Sequence, residues 1–144
     1  MTNNTNFGIL LQKGDGGGTE VFATIAQVVN IDPPGVSNPA VEATSHSDTY
    51  RSYIAGGLLE LEAFDVEIAY DPVGDDHDAG TGLLASVVAG TASNYKIIFP
   101  DSGSTTWTFA ALVTKFKPQA ADAKSPDVLR ATVSFRPTGT PTLA

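Results

Sequence analysis

Side chains able to do chemistry gather at four places along this chain, and each is judged by the geometry its chemistry requires. Ser45-His46-Ser47-Asp48 holds the residue types of a hydrolytic triad. Triad members are brought together by the fold from separate segments, and the Gly-x-Ser-x-Gly elbow is absent. The run reads as a polar loop. Asp71, Asp75, Asp76, His77 and Asp78 form the densest set of metal-ligand types. Hard cations favour carboxylate oxygens, but an EF-hand loop needs a fixed spacing that ends in Glu, which this segment lacks. It reads as a solvated acidic loop leading into a helix, whose N-terminal dipole favours carboxylates. Glu60 and Glu62 share one strand face, as the acid and nucleophile of a glycosidase would; flanking Leu61, they read as exposed carboxylates. Gly14-Asp15-Gly16-Gly17-Gly18 resembles a phosphate cradle, but such a cradle must open a helix. Here a strand pattern follows and no Gly-Lys-Ser/Thr ending is present, so a hairpin turn is expected. With only His46 and His77 in the chain, no general-base constellation forms. Neither an enzyme nor a cofactor or metal site is expected.

The 144 residues match one domain, and a chain of this size buries about 68–70% of its unfolded surface. Charged residues make up 17%, below the usual quarter of about 25%. Low charge density accords with a surface covered by neighbours. There is no cysteine, which excludes disulfide scaffolds and thiolate metal sites and accords with assembly in a reducing cytoplasm. Met1 to Asn6 has no basic leader, and Phe7 to Leu11 is too short an apolar run for a signal peptide. No run approaches the ~20 apolar residues of a membrane span, so no membrane insertion by this chain is expected. Sixteen acidic residues against eight basic give a net charge of −8. The bases are scattered along the sequence, which disfavours gripping DNA by its phosphates. A surface past which DNA slides remains compatible.

The elements that position these residues are mostly strands. Val21 to Ile31 carries Val21, Ala23, Ile25, Val29 and Ile31 on one parity, interrupted by Gln27. Phe64, Val66, Ile68 and Tyr70 alternate with Ala63, Asp65, Glu67 and Ala69. Leu59 and Leu61 have the opposite parity, which predicts a bulge or bend near Glu62–Phe64. Tyr95 to Phe99 ends at Pro100, and Asp101-Ser102-Gly103-Ser104 is a turn cluster. Thr105 to Lys117 follows, with Trp107, Phe109 and Val113 on one parity. Val128 to Arg136 alternates around Leu129, Ala131, Val133 and Phe135. Leu83, Leu84, Val87 and Val88 make a helical stripe, capped by Thr81 or Asp78 and ended by Gly90. From Val36 to Gly57 little periodicity survives, and a loop of that length usually has a job. Arg136 to Ala144 holds Pro137 and Pro141 and is expected to be an extended arm outside regular structure.

The order of certain segments carries a resemblance. Val41-Glu42-Ala43-Thr44-Ser45-His46-Ser47-Asp48 precedes Tyr50-Arg51-Ser52-Tyr53-Ile54-Ala55-Gly56-Gly57-Leu58. Ile25-Ala26-Gln27-Val28 and Asp32-Pro33-Pro34-Gly35 stand before them, and Val66-Glu67-Ile68-Ala69-Tyr70-Asp71-Pro72 after. Ile97-Ile98-Phe99-Pro100-Asp101, Thr108-Phe109-Ala110-Ala111-Leu112-Val113-Thr114 and Ser134-Phe135-Arg136-Pro137-Thr138-Gly139-Thr140-Pro141 complete the series. In order and spacing these resemble the major tail tube proteins of lambda-like, non-contractile long-tailed phages, from about Val21 to Pro141. Gly56-Gly57-Leu58-Leu59 departs from the pattern, where the family often has Gly-Leu and a polar turn.

The resemblance implies a mostly β fold, an antiparallel β-sandwich or barrel with one short flanking helix, as a single domain over 1–144. It implies a structural virion protein: six subunits close a ring, and rings stack helically into the tail tube, the conduit for genome ejection. Residues 1–6 and 136–144 would be arms clasping neighbours, and 44–57 an assembly loop reaching the adjacent ring through Thr44, Ser45, His46, Asp48, Tyr50, Arg51 and Tyr53. Glu60, Glu62, Asp65 and Glu67 would line the lumen, past which DNA moves without sticking. Implied partners are further copies, a tape measure protein and tail terminator or initiator proteins, in a virion tail assembled in the host cytoplasm. The competing readings are a β-sandwich binding module such as an adhesin or carbohydrate-binding domain, and a tube subunit of a contractile tail or secretion system. An acidic hydrolase is more distant.

Overall fold

The computed structural model describes residues 8–56, 58–120, 123–124 and 126–143. The expected N-terminal arm, 1–6, lies outside them, as do Gly57 at the end of the expected assembly loop and Ala144. The described residues are mostly β, with one short helix among them. Along it run β1 (Leu10–Gly14), β2 (Phe22–Thr24), β3 (Val28–Ile31), β4 (Val36–Ser37), β5 (Ala40–Glu42), β6 (Tyr53–Ala55), β7 (Glu60–Leu61) and β8 (Phe64–Ala69). Then come α1 (Leu83–Ala89), β9 (Ser93–Ile98), β10 (Thr106–Pro118) and β11 (Arg130–Leu143).

Seven strands make one antiparallel sheet in the order β2-β1-β9-β10-β11-β8-β3. Its two edge strands, β2 and β3, are separated in sequence only by Ile25, Ala26 and Gln27. A flat sheet of seven strands spans about 29 Å at ~4.8 Å per strand gap, which three residues cannot bridge. The sheet therefore rolls until its edges nearly meet, without closing into a barrel. Gln27 turns the corner with φ +60, and its carbonyl accepts the Ala69 amide at 2.9 Å. This corrects the single strand expected over Val21–Ile31. Ile25 and Ile31 stay buried, while Val21 and Val29 turn to solvent.

Alternation dictates the inside of the roll. Phe64, Val66 and Ile68 point in from β8, Tyr95 and Ile97 from β9, and Ala131, Val133 and Phe135 from β11. Each large apolar side chain so buried contributes about 1.5–3 kcal/mol. Phe135 stacks on Phe64 at 5.0 Å and 11° and meets Tyr95 edge-on at 5.0 Å. Leu61 and Phe64, of opposite parity, are both buried, because the chain bends between β7 and β8, as expected from the parity flip.

Two irregularities in the β10–β11 ladder change which side chains face in. Between Val113↔Phe135 and Lys115↔Ser134 one extra residue, Thr114, enters β10. Beyond this bulge the parity flips, so Phe116 turns toward the core and Lys115 and Lys117 turn out. Between Thr108↔Thr142 and Ala110↔Thr138 the extra residues sit in β11, where Gly139 takes φ +78. Residues 136–143 thus continue β11, which corrects the expectation that the prolines keep this segment out of regular structure. Past Phe135, β11 has lost its β8 partner and borders only β10 in the sheet. Pro137 and Pro141 are tolerated on such a half-free edge, because an N–H there need not serve the ladder.

The helix is turned relative to its apolar stripe. Leu83 and Ser86 face in and Leu84 and Val87 are half-buried, whereas Val88 is exposed. The Lys13 ammonium donates to the Ser86 hydroxyl at 2.8 Å, which fixes that side of the helix against β1. Gly90 ends the helix in the left-handed region at φ +66 and returns its amide to Ser86.

Candidate assembly surfaces

Each candidate run of the sequence has a definite local setting in the structure. At Ser45 the amide donates to Asp48 Oδ2 at 2.7 Å, and the hydroxyls of Ser45 and Ser47 lie 3.1 Å apart. These are contacts of an exposed turn. The glycine run is the β1–β2 hairpin turn, in which Asp15 Oδ1 accepts the amides of Gly17 at 2.9 Å and Val21 at 3.2 Å. Those bonds hold the Asp15 carboxyl below its ordinary range. Among the described residues no three His, Cys, Asp or Glu side chains converge to hold a metal. No described helix is long and apolar enough to cross a membrane.

The acidic loop is not wholly solvated, which corrects that expectation. His77 is buried. The Asp71 amide donates to its Nδ1 at 3.1 Å, so Nε2 carries the proton and donates to the Ala26 carbonyl at 2.8 Å. His77 ties the 71–78 loop to the corner between β2 and β3. Asp76 Oδ2 accepts the Ala26 amide at 2.8 Å. Asp78 Oδ1 accepts Thr81 N at 2.8 Å and Gly82 N at 2.9 Å, so it serves the turn before the helix, while Gly82 holds the cap position itself. The Thr81 amide is the main reason its carboxyl sits below the ordinary range.

Among the described residues, 36–56 and 58–60 form the most exposed stretch. Val36 pairs with Leu61 and Ser37 with Glu60; Ala40, Val41 and Glu42 then pair with Ala55, Ile54 and Tyr53. The Ala43 amide adds a bond to Ser52 O at 2.8 Å. The segment is a long two-stranded ribbon with its tip near residues 44–51, a regularity its aperiodic sequence hides. From Asn38 to Ala55 every residue is exposed, including all seven expected loop residues: Thr44, Ser45, His46, Asp48, Tyr50, Arg51 and Tyr53. Tyr50 is 84% exposed, and Val41, Tyr53, Ile54, Leu58 and Leu59 are all open to water. An isolated two-stranded ribbon is marginal in water, and contiguous exposed apolar side chains mark an interaction surface. Arg51 and Glu42 pair loosely at 3.9 Å.

The outward face of the seven-stranded sheet is the second surface. Asp65 is exposed on it and accepts the Ser134 hydroxyl at 2.7 Å; Glu67 is half-buried and pairs with Arg130 at 3.0 Å. Lys115 stands in one row with Ser134 and Asp65, and Lys117 in the next with Thr132 and Glu67. This face is thus striped in charge, and register brings three of the eight bases, Lys115, Lys117 and Arg130, together beside Asp65 and Glu67. Glu60 pairs with Arg136 at 3.7 Å, and Glu62 lies against Gly35.

No protein-family model and no curated protein matches the chain. Solved structures do share its fold. A chain from the tail of an empty gene transfer agent particle, obtained by helical refinement with C6 symmetry, superposes with TM-score 0.73 at 17% identity, covering 100% of this chain and 99% of that one. A chain of the sheath-tube complex of an extracellular contractile injection system, in its extended state, gives 0.69 at 10% identity over 99% and 93%. The SPP1 tail tube gives 0.60 at 11% identity over 91% and 72%.

Proposed function

We propose that this chain is a structural, non-enzymatic subunit that polymerises into a tail-type tube through which a genome passes. The observation that carries the reading is the end-to-end agreement of its fold with a chain of a sixfold, helically refined particle tail. The exposed ribbon supports it from within the molecule, because a lone subunit has no use for so much apolar surface on a two-stranded extension. In this reading six copies close a ring, rings stack, and the ribbon reaches the adjacent ring. Terminator, initiator and tape measure proteins would meet the same tube in a virion tail assembled in the host cytoplasm. The sequence segments around residues 41–58 favour the non-contractile type. The fold does not separate that type from contractile systems, since a contractile injection system also supplies a similar chain. Negative-stain microscopy of concentrated purified protein is expected to show rings or hollow tubes. A chain that stays monomeric at high concentration, with and without initiator proteins, would overturn the reading.

The striped sheet face is proposed to line the bore. Asp65 and Glu67 repel phosphates there while Arg130, Lys115 and Lys117 limit the repulsion, so DNA neither sticks nor is strongly excluded. Asp65→Lys with Glu67→Lys makes the face uniformly basic. Tubes should still form, and ejection should slow in low salt and recover in high salt as the charges are screened. Normal ejection at low salt would place these carboxylates away from the bore.

A further inference from the structure

A cleft of about 500 Å³ lies between the β1–β2 hairpin turn, the 75–82 segment and the start of β9. Its wall is partly apolar, with Val21, Ile25 and Ala110, and four carboxylates belong to it: Asp15, Glu20, Asp75 and Asp76. Its one ammonium, Lys13, is already engaged by Ser86 at 2.8 Å, and burial lowers its pKa despite nearby Asp76. No described hydrogen bond or ion pair involves the Asp75 side chain. The cleft therefore offers an apolar wall beside excess negative charge, and wants a ligand that is apolar and cationic at once.

The ribbon tip has that character. Arg51 is the only lysine or arginine between residues 36 and 61, its side chain is 76% exposed, and it stands next to Tyr50. A guanidinium presents five donors able to meet more than one carboxylate, and a tyrosine ring covers apolar surface while keeping its hydroxyl wet. We infer that the cleft is the seat for the Tyr50–Arg51 tip of a second copy of this chain, an inference that rests on the self-assembling subunit proposed above. Tip and cleft are different surfaces, so the contact is head-to-tail, and between stacked rings, where its rotation does not close, it extends into an open array.

The test is a charge exchange. Arg51→Asp and Asp75→Arg both alter exposed side chains, and circular dichroism checks that each variant folds. Each alone should cut tube yield at low salt by about tenfold or more, and the double variant should recover most of that loss, because the pair is restored with its polarity reversed. The chain's lack of cysteine adds a direct readout. Tyr50→Cys mixed with Glu20→Cys should give a disulfide-linked dimer on oxidation under assembly conditions, whereas either variant alone should not. Wild-type tubes with no recovery in the double variant and no cross-link overturn this contact while leaving the subunit reading intact. A wild type that builds no tubes overturns that reading, and the contact with it.

Discussion

Excising Thr44 to Arg51 and joining Ala43 to Ser52 through Asn-Gly is expected to leave a folded chain that builds no tubes. The design respects the ribbon: Ala43 and Ser52 already share a backbone hydrogen bond, and Asn-Gly is the two-residue turn that suits a hairpin. What is removed makes mainly local bonds, such as Ser45 N to Asp48 and Ser52 N to Thr44 Oγ1 at 3.0 Å. Every excised residue is exposed, and changes of that kind usually shift stability by about 0.5 kcal/mol or less. The melting temperature should therefore stay within about 2 °C of the parent. Assembly should fall to background, since Tyr and Arg are the residue types that dominate interface energies. Microscopy and sedimentation of parent and variant at equal concentration decide it. Normal-length tubes from the shortened chain would show that the tip is not the contact between rings.

What could be read from the sequence follows from where burial enforces a pattern. Phe64, Val66 and Ile68 against Asp65 and Glu67 were legible because one face of β8 is dry and the other wet. Phe116 was not, since the inserted Thr114 flips the parity on a strand whose alternation looks regular up to Val113. The ribbon escaped for the opposite reason: with both faces of β5 and β6 in water, nothing selects apolar against polar at alternate positions. Val41, Ile54, Leu58 and Leu59 then look aperiodic. Gln27 gave a partial signal as the one polar break in an apolar parity, and it is where the sheet turns from one edge to the other. His77 was hidden among aspartates that are partly solvated, and nothing local announces that its ring reaches back to Ala26. The prolines at 137 and 141 misled because they exclude a central strand but not a half-free edge. The cleft was illegible altogether, its walls coming from segments as far apart as Asp15 and Ala110.

Phe135→Ala is expected to be the most destabilising single change at the centre of the roll, and its neighbour Tyr95 supplies the control. Phe135 is fully buried, stacked on Phe64 and edge-on to Tyr95, and truncating such a ring costs about 3–5 kcal/mol. Against a total of roughly 5–15 kcal/mol for a domain, this should lower the melting temperature by roughly 10 °C or more. Tyr95→Phe keeps the ring and removes only a hydroxyl. Ser86 lies near that hydroxyl and donates its own proton to the Gly82 carbonyl at 3.3 Å, and no hydrogen bond closes on the Tyr95 oxygen. A buried polar atom without a partner carries a desolvation penalty, and Tyr95→Phe should leave stability unchanged or raise it by about 1 kcal/mol. The alkaline behaviour separates the two chains further. Burial pushes the Tyr95 phenol from its ordinary 10.0 up to about 12, with Ser86 offsetting part of the effect. Between those values the folded chain keeps a proton that the unfolded chain has lost, so the contribution is fully present below pH 10.0 and drains away as pH rises toward about 12. Urea midpoints measured near about pH 9 and about pH 11 should fall more for the parent than for Tyr95→Phe. Equal losses in both chains would mean that the phenol ionises in the fold as easily as it does in water.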